Sequence, residues 1–197
     1  MLKIGITGGI GSGKSSVSTL FEKWGAYILD ADTVAKQILD TNQTTKGEII
    51  AEFGTDVLGP DNKIDKTKLG KIAFQDEDHQ QRLNTVIHPY VFNEIDSTFD
   101  KILATEKHDV FVVDAALIYE SGAYTNMDYV LVVTSHLKIR TERVMSRGGL
   151  TREDFLRRLD LQWPEENKVH MADFIIYNNN TKDQLEIESK KIYDLLL

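Results

Sequence analysis

The 197-residue sequence predicts an α/β protein with a five-stranded parallel sheet and helices on both faces. Three observations predict it. Five short, nearly unbroken apolar runs, Leu2–Thr7, Tyr27–Leu29, Val110–Val113, Tyr129–Val133 and Phe174–Tyr177, fit strands that are covered on both sides. Helical periodicity fills the stretches between them. The first run leads into Gly8-Gly9-Ile10-Gly11-Ser12-Gly13-Lys14-Ser15, a match to G-x-x-x-x-G-K-[ST], with a helical pattern behind it. Strand, glycine-rich loop and helix is the context this phosphate-binding motif needs, because backbone amides and a helix N-terminus then converge on an anion.

Taken in order, the helix after the loop spans Ser15 to Trp24 and puts Val17, Leu20, Phe21 and Trp24 on one face. The second strand ends in Asp30-Ala31-Asp32. The stretch from there to Val110 is far longer than a crossover needs and reads as several helices: Thr33–Leu39, Lys46–Phe53, Lys66–Phe74 and a long pattern over Gln80–Ala104. Pro89 lies inside the last, so a kink or break is expected at His88-Pro89. Helix 136–147 follows the fourth strand, an irregular stretch with Trp163-Pro164 fills 147–171, and a final helix over 184–197 offers Leu185, Ile187, Ile192, Leu195 and Leu196 to the core. The expected organisation is a core over about 1–31, 106–146 and 172–197, a helical substrate-binding insertion over about 32–105, and a lid over about 147–171.

Composition narrows the setting. There are no cysteines, hence no disulfides and no thiolate metal site. No apolar run has membrane-spanning length, and the first strand starts directly after Met1, so a cytoplasmic protein without a signal peptide is expected. The net charge of −8 argues against non-specific nucleic-acid binding. A polyanionic ligand must then meet local positive charge. Six of the seven arginines lie between Arg140 and Arg158. Arg140, Arg143 and Arg147 share a helix face. Arg143 and Arg147, ending that helix before Gly148-Gly149, are expected to contact phosphate. Arg152 and Arg157 read as a solvated face.

Within the glycine loop, Lys14 can reach the β- and γ-phosphates and the Ser15 hydroxyl can ligate Mg²⁺. The dinucleotide pattern G-x-G-x-x-G fails, since from Gly9 it would require glycine at Lys14. The ligand is therefore a nucleoside triphosphate. Asp114, after four apolar residues, suits Mg²⁺ directly or through water. Asp30 or Asp32 can orient a hydroxyl nucleophile and accept its proton, the other serving as a cap or structural partner. Glu120 can touch substrate or a cationic neighbour. His88 is the one histidine singled out, and none of the five histidines has metal-ligand spacing.

In order along the chain, Gly5–Ser15, Asp30-Ala31-Asp32, Ile64-Asp65 with Leu69 and Phe74, Leu83-Asn84 with Ile87-His88-Pro89, Asp114 to Glu120, and Ala172-Asp173 with Asn178 resemble the dephospho-CoA kinase family over nearly the whole chain. The resemblance implies transfer of the ATP γ-phosphate to the ribose 3′-hydroxyl of dephospho-CoA, the last step of coenzyme A synthesis, with Mg²⁺. It implies Asp32 as base. ATP contacts are implied at Gly8, Gly9, Ile10, Gly11, Ser12, Gly13, Lys14, Ser15, Ser16, Arg143, Arg147 and Asn178. Substrate contacts are implied at Asp32, His88, Pro89, Leu117, Glu120 and Arg147. Three positions depart from the family pattern. Ala116 stands where proline is usual, which should loosen the loop after the third strand. Lys66 replaces an arginine. Asn178-Asn179-Asn180 replaces Asn-x-Gly, with asparagine able to adopt a left-handed turn. The alternatives are another small-molecule or nucleoside monophosphate kinase, and a regulatory ATPase that passes phosphate only to water.

Overall fold

A computed structural model describes Met1–Leu197. The elements run β1 (Leu2–Thr7), α1 (Lys14–Lys23), β2 (Tyr27–Asp30), α2 (Ala31–Thr41), α3 (Gln43–Phe53), α4 (Lys66–Ala73), α5 (Glu77–Leu103), β3 (Val110–Asp114), β4 (Tyr129–Thr134), α6 (Leu137–Arg147), α7 (Arg152–Asp160), α8 (Glu165–Met171), β5 (Phe174–Tyr177) and α9 (Lys182–Leu195). All five strands are parallel, in the order β2-β3-β1-β4-β5.

Contacts divide the chain into two compact units, Met1–Asp30 with Ile95–Leu197, and Ala31–Glu94. In the first, one face of the sheet presents Ile4, Ile6, Val110, Val112, Leu131, Val133 and Ile176 to Val17 and Phe21 of α1 and to Leu185, Tyr193 and Leu196 of α9. Tyr193 packs edge-on against Phe21, 5.2 Å between ring centres. On the other face Phe111 meets Phe99 edge-on and stacks on Tyr27, while Gly5 leaves space that the side chain of Ile118 occupies. Burial on both faces is why these strands are unbroken apolar runs. Two candidate core residues of α9, Ile187 and Leu195, are instead 51% and 74% exposed; they fall off the stripe set by Leu185, Ser189 and Tyr193.

The connection leaving β1 leads to β2 on one side of the sheet, and that leaving β3 leads to β4 on the other. The neighbouring carboxyl ends of β1 and β3 therefore form a switch point, where open α/β sheets bind ligands. Ile6 lies in register with Asp114, and Asp114 in turn with Asp30 of β2.

The unit Ala31–Glu94 has its own small core of Ile49, Val57, Ile64, Leu69, Ala73, Ile87 and Val91. Asn42 caps α3 by accepting the Thr45 amide, and Asp65 caps α4 by accepting those of Thr67 and Lys68. Lys66 pairs with Asp40 at 2.6 Å, and Tyr90 donates to Glu48 at 3.0 Å. Of the kink or break expected at His88-Pro89, the break does not occur: α5 runs unbroken through Pro89. Proline removes one ladder bond, while the buried positions Ile87, Val91 and Ile95 keep their helical spacing across it. The stretch over 147–171, expected to be irregular, contains two helices, α7 and α8. Thr151 caps α7 through the Asp154 amide.

Candidate active site around the phosphate-binding loop

The loop 8–15 bridges the end of β1 and the start of α1, as the motif requires. Gly13 has φ 99° and stands directly before α1; this left-handed turn starts the helix at Lys14. A Cβ on Gly13 would also come within 2.2 Å of Asn178 Nδ2. That nitrogen donates to the Ser12 carbonyl (2.8 Å). Arg143 from α6 joins the same corner, donating to the Ser12 carbonyl (3.3 Å), the Asn178 carbonyl (3.0 Å) and Asn178 Oδ1 (3.3 Å). The ends of β5 and α6 thus brace the loop where it enters the helix.

Lys14 is ion-paired with Asp114, whose other oxygen accepts the buried Ser18 hydroxyl at 2.6 Å. The carboxylate after β3 is fixed beside the loop's ammonium by α1 itself. Ser15 and Ser16 are exposed in the first turn of α1. Asp114 and the Ser15 hydroxyl offer only hard oxygen donors, the chemistry Mg²⁺ selects.

The loop after β3 is tied down without a proline at Ala116. The Ala116 carbonyl accepts the Thr7 hydroxyl (3.1 Å) and the ammonium of Lys168 (3.2 Å), so the loosening expected there is offset by two side-chain bonds. Glu120, expected at the substrate, pairs with Lys168 at 2.7 Å, and the same oxygen accepts the Trp163 amide at 2.9 Å. The cationic neighbour expected for it is thus Lys168. Lys168 is completely buried. Removing one member of such a pair strands the other charge, a loss of about 3–5 kcal/mol. Beside it Tyr119 stacks on Trp163, 6.3 Å apart and 8° from parallel. Burial, helped by the charge of Asp173, pushes the Tyr119 phenol up to about 12. Leu117 is half-buried.

Arg140 lies on α6 with Arg143 and Arg147. It is buried, donates from Nε to the Ile10 carbonyl (2.9 Å) and pairs through Nη1 with Glu165 (2.8 Å). Gln162 Oε1 accepts the Ile10 amide at 3.2 Å. Burial lowers the Arg140 guanidinium from its ordinary range, and Glu165 opposes that. Burial also lowers Arg143, with Arg147 adding repulsion. Arg147 itself is exposed at the end of α6. Arg157 pairs with Glu153 on the outer face of α7, as expected. The sequence reading did not single out Gln162, Glu165, Lys168 or Ser18. Arg140 carried one legible signal, its i, i+4 spacing to the buried Val144.

After β5, Asn179 Oδ1 accepts the His136 amide (2.8 Å) and the Ser135 hydroxyl (3.1 Å), tying the residues just before α6 to a neighbouring strand end. The Asn178–Asn180 turn uses no left-handed residue, contrary to expectation. Asp173 accepts the Val130 amide at 2.8 Å and secures the start of β4.

Apart from Asp30, the remaining expected residues belong to the unit Ala31–Glu94. Because α2 begins at Ala31, Asp32 lies inside its first turn, exposed, rather than at a cap position; a carboxylate is favoured there by the helix dipole. Asp30 is the last residue of β2. His88 is half-buried on α5, its ring stacked on Phe92 (5.6 Å), and Pro89 is exposed. Burial lowers the His88 imidazole below its ordinary value.

A family model described as dephospho-CoA kinase matches residues 2–184. The chain belongs to the dephospho-CoA kinase family. A dephospho-CoA kinase of Thermobifida fusca is 36% identical over 197 residues, covering 100% of this chain and 96% of its own. One from Corynebacterium glutamicum is 37% identical over 192 residues, covering 98% of this chain and 96% of its own. Among solved structures, the dephospho-CoA kinase of Campylobacter jejuni superposes with a TM-score of 0.69 at 30% identity, covering 98% of this chain and 95% of its own. The shikimate kinase of Bacteroides thetaiotaomicron, at 13% identity and a TM-score of 0.53, shares the fold, covering 99% of this chain and 98% of its own. ATP is the co-substrate that this kinase family implies.

Proposed function

We propose that this dephospho-CoA kinase carries out its reaction on the loop 8–16, with Asp32 as the base. The chain has its family's activity, ATP-dependent phosphorylation of dephospho-CoA, the last step of coenzyme A synthesis. The observation that carries the residue assignment is the contact of Lys14 with Asp114 at the carboxyl ends of β1 and β3.

In this reading the triphosphate lies along Gly8–Ser16. Lys14 turns from Asp114 to the β- and γ-phosphates, with Arg143 and Asn178 holding the loop's far corner and Arg147 entering from the end of α6. Mg²⁺ would be held by Ser15 and, through water, by Asp114, and when bound it neutralises phosphate charge. Asp32 accepts the proton of the ribose 3′-hydroxyl as that oxygen bonds to the γ-phosphorus. The bond from the γ-phosphorus to the β–γ bridging oxygen breaks, and ADP leaves. Lys14 stabilises the charge that develops on the transferring group. His88, Pro89 and Leu117 contact dephospho-CoA. Glu120 braces the segment that carries Lys168 through one oxygen and offers the other to substrate. The residues over 147–171 act as a lid that keeps water from the γ-phosphate, and those over 32–105 form the substrate subdomain. The reaction takes place in the cytoplasm, without nucleic acid; no helix is long and apolar enough to cross a membrane.

ADP release measured with dephospho-CoA, AMP, CMP or water as the only acceptor tests the assignment of acceptor. Dephospho-CoA should stimulate release well above the others. Equal release with water alone would favour a regulatory ATPase, and preference for a monophosphate a nucleotide kinase.

A further inference from the structure

Arg140 is the chain's buried arginine, 3% exposed, and every nitrogen of its guanidinium faces the loop or its partner. Nε donates to the Ile10 carbonyl. Nη1 meets Glu165. Nη2 is buried without a hydrogen-bond partner and packs against Gly9, where a Cβ would meet it at 2.1 Å and Glu165 Oε2 at 2.5 Å. Gln162, three residues before Glu165, accepts the Ile10 amide. Ile10 is therefore gripped at both its amide and its carbonyl by side chains from outside the loop, and the guanidinium that holds the carbonyl depends on Glu165 for charge compensation. A phosphate-binding loop works by keeping its amides aimed at one point. Rotation of either peptide at Ile10 would spoil that aim, and Arg140 and Gln162 oppose both rotations.

We infer that Arg140 and Glu165 are a positioning pair for ATP: acting through Ile10, they hold the loop in its phosphate-binding shape and make that shape depend on the segment carrying Gln162 and Glu165. Neither residue needs to touch the nucleotide. The inference rests on the reading that ATP's phosphates sit in the loop 8–16.

Steady-state kinetics on Arg140→Gln, Glu165→Gln and the double variant test it, with ATP and dephospho-CoA varied separately. Arg140→Gln should raise the KM for ATP about tenfold and Glu165→Gln about threefold, the double should be no worse than Arg140→Gln alone, and the KM for dephospho-CoA should stay within about twofold throughout, as expected of residues that act as one unit. Arg140→Lys, which keeps the charge and one donor, should recover part of the loss. If Arg140→Gln does not fold, the near-isosteric Glu165→Gln decides alone. An unchanged ATP KM in a folded variant whose thermal midpoint falls would show a purely structural pair and overturn the inference, as would losses that multiply in the double variant. Lys14→Ala measured alongside separates the two levels: if it too leaves ATP use intact, the loop reading fails rather than the pair alone.

Discussion

The ammonium of Lys14 is ion-paired with Asp114, although 100 residues separate them in the chain. Parallel pairing of β1 with β3 brings them together, and Ser18, one turn along α1 from Lys14, fixes the second carboxylate oxygen. The cation proposed to grip a phosphate is thus held against the acid proposed to hold the metal. In the proposed mechanism Lys14 leaves Asp114 for phosphate when ATP binds, and Mg²⁺ would then compensate the Asp114 carboxylate.

That exchange makes Lys14 worth more to turnover than to binding. Lys14→Ala should lower the maximal rate by about 10²–10³-fold, the scale of losing one oriented donor to a developing charge. Coupled ADP release with dephospho-CoA as acceptor measures it, and a loss below about threefold would remove Lys14 from the mechanism. In the same assay, excess EDTA should bring the wild-type rate to background, and added Mg²⁺ should restore it.

Two glycines should respond in opposite directions. Gly13→Ala places a side chain at φ 99° and drives its Cβ to 2.2 Å from Asn178 Nδ2. The backbone strain alone is about 1–2 kcal/mol, and the displaced loop should raise the KM for ATP more than about tenfold. Gly47 lies inside α3 with nothing within 4 Å of a new Cβ. Gly47→Ala should therefore stabilise the protein by about 0.5–1 kcal/mol. Urea midpoints and ATP kinetics on both variants check this, and destabilisation by Gly47→Ala would contradict the account of α3.

His88 should make stability depend on pH below neutrality. Burial lowers its folded pKa beneath the ordinary 6.5, so the unfolded chain takes up the proton more readily. Its contribution is fully present above 6.5 and is lost as pH falls through the folded value. Wild type should lose urea stability as pH falls below 6.5, and His88→Gln should lose measurably less. Parallel curves for the two proteins would show that His88 carries none of the slope.

The parts of the fold and site that could be read from the sequence are those encoded by local spacing. The strands, the loop Gly8–Ser15 and Asp114 are each set by a few adjacent residues, and all appear where their patterns place them. Beyond its spacing to Val144, Arg140 gives little local sign of burial, because its partners are Ile10 and Glu165, one far upstream and the other on a separate helix. Lys168 and Glu120 are hidden in the same way: each alone reads as a surface charge, and only the fold buries them together. Pro89 misled in the opposite direction, since a local rule for breaking helices was outweighed by the continuous apolar stripe of α5. Asn179, which the sequence pattern left without a role, ties the residues just before α6 to the end of β5, a contact that depends on where β5 ends beside β4.

The central claim is that Asp32 takes the proton of the acceptor hydroxyl while the loop 8–16 holds the triphosphate. Its most direct test is dephospho-CoA-dependent ADP release by Asp32→Asn, with ATP binding measured on the same preparation. The account predicts ATP affinity within about twofold of wild type and turnover reduced by 10²-fold or more, the scale of losing a general base. Turnover within about tenfold of wild type, with ATP still bound, would contradict it.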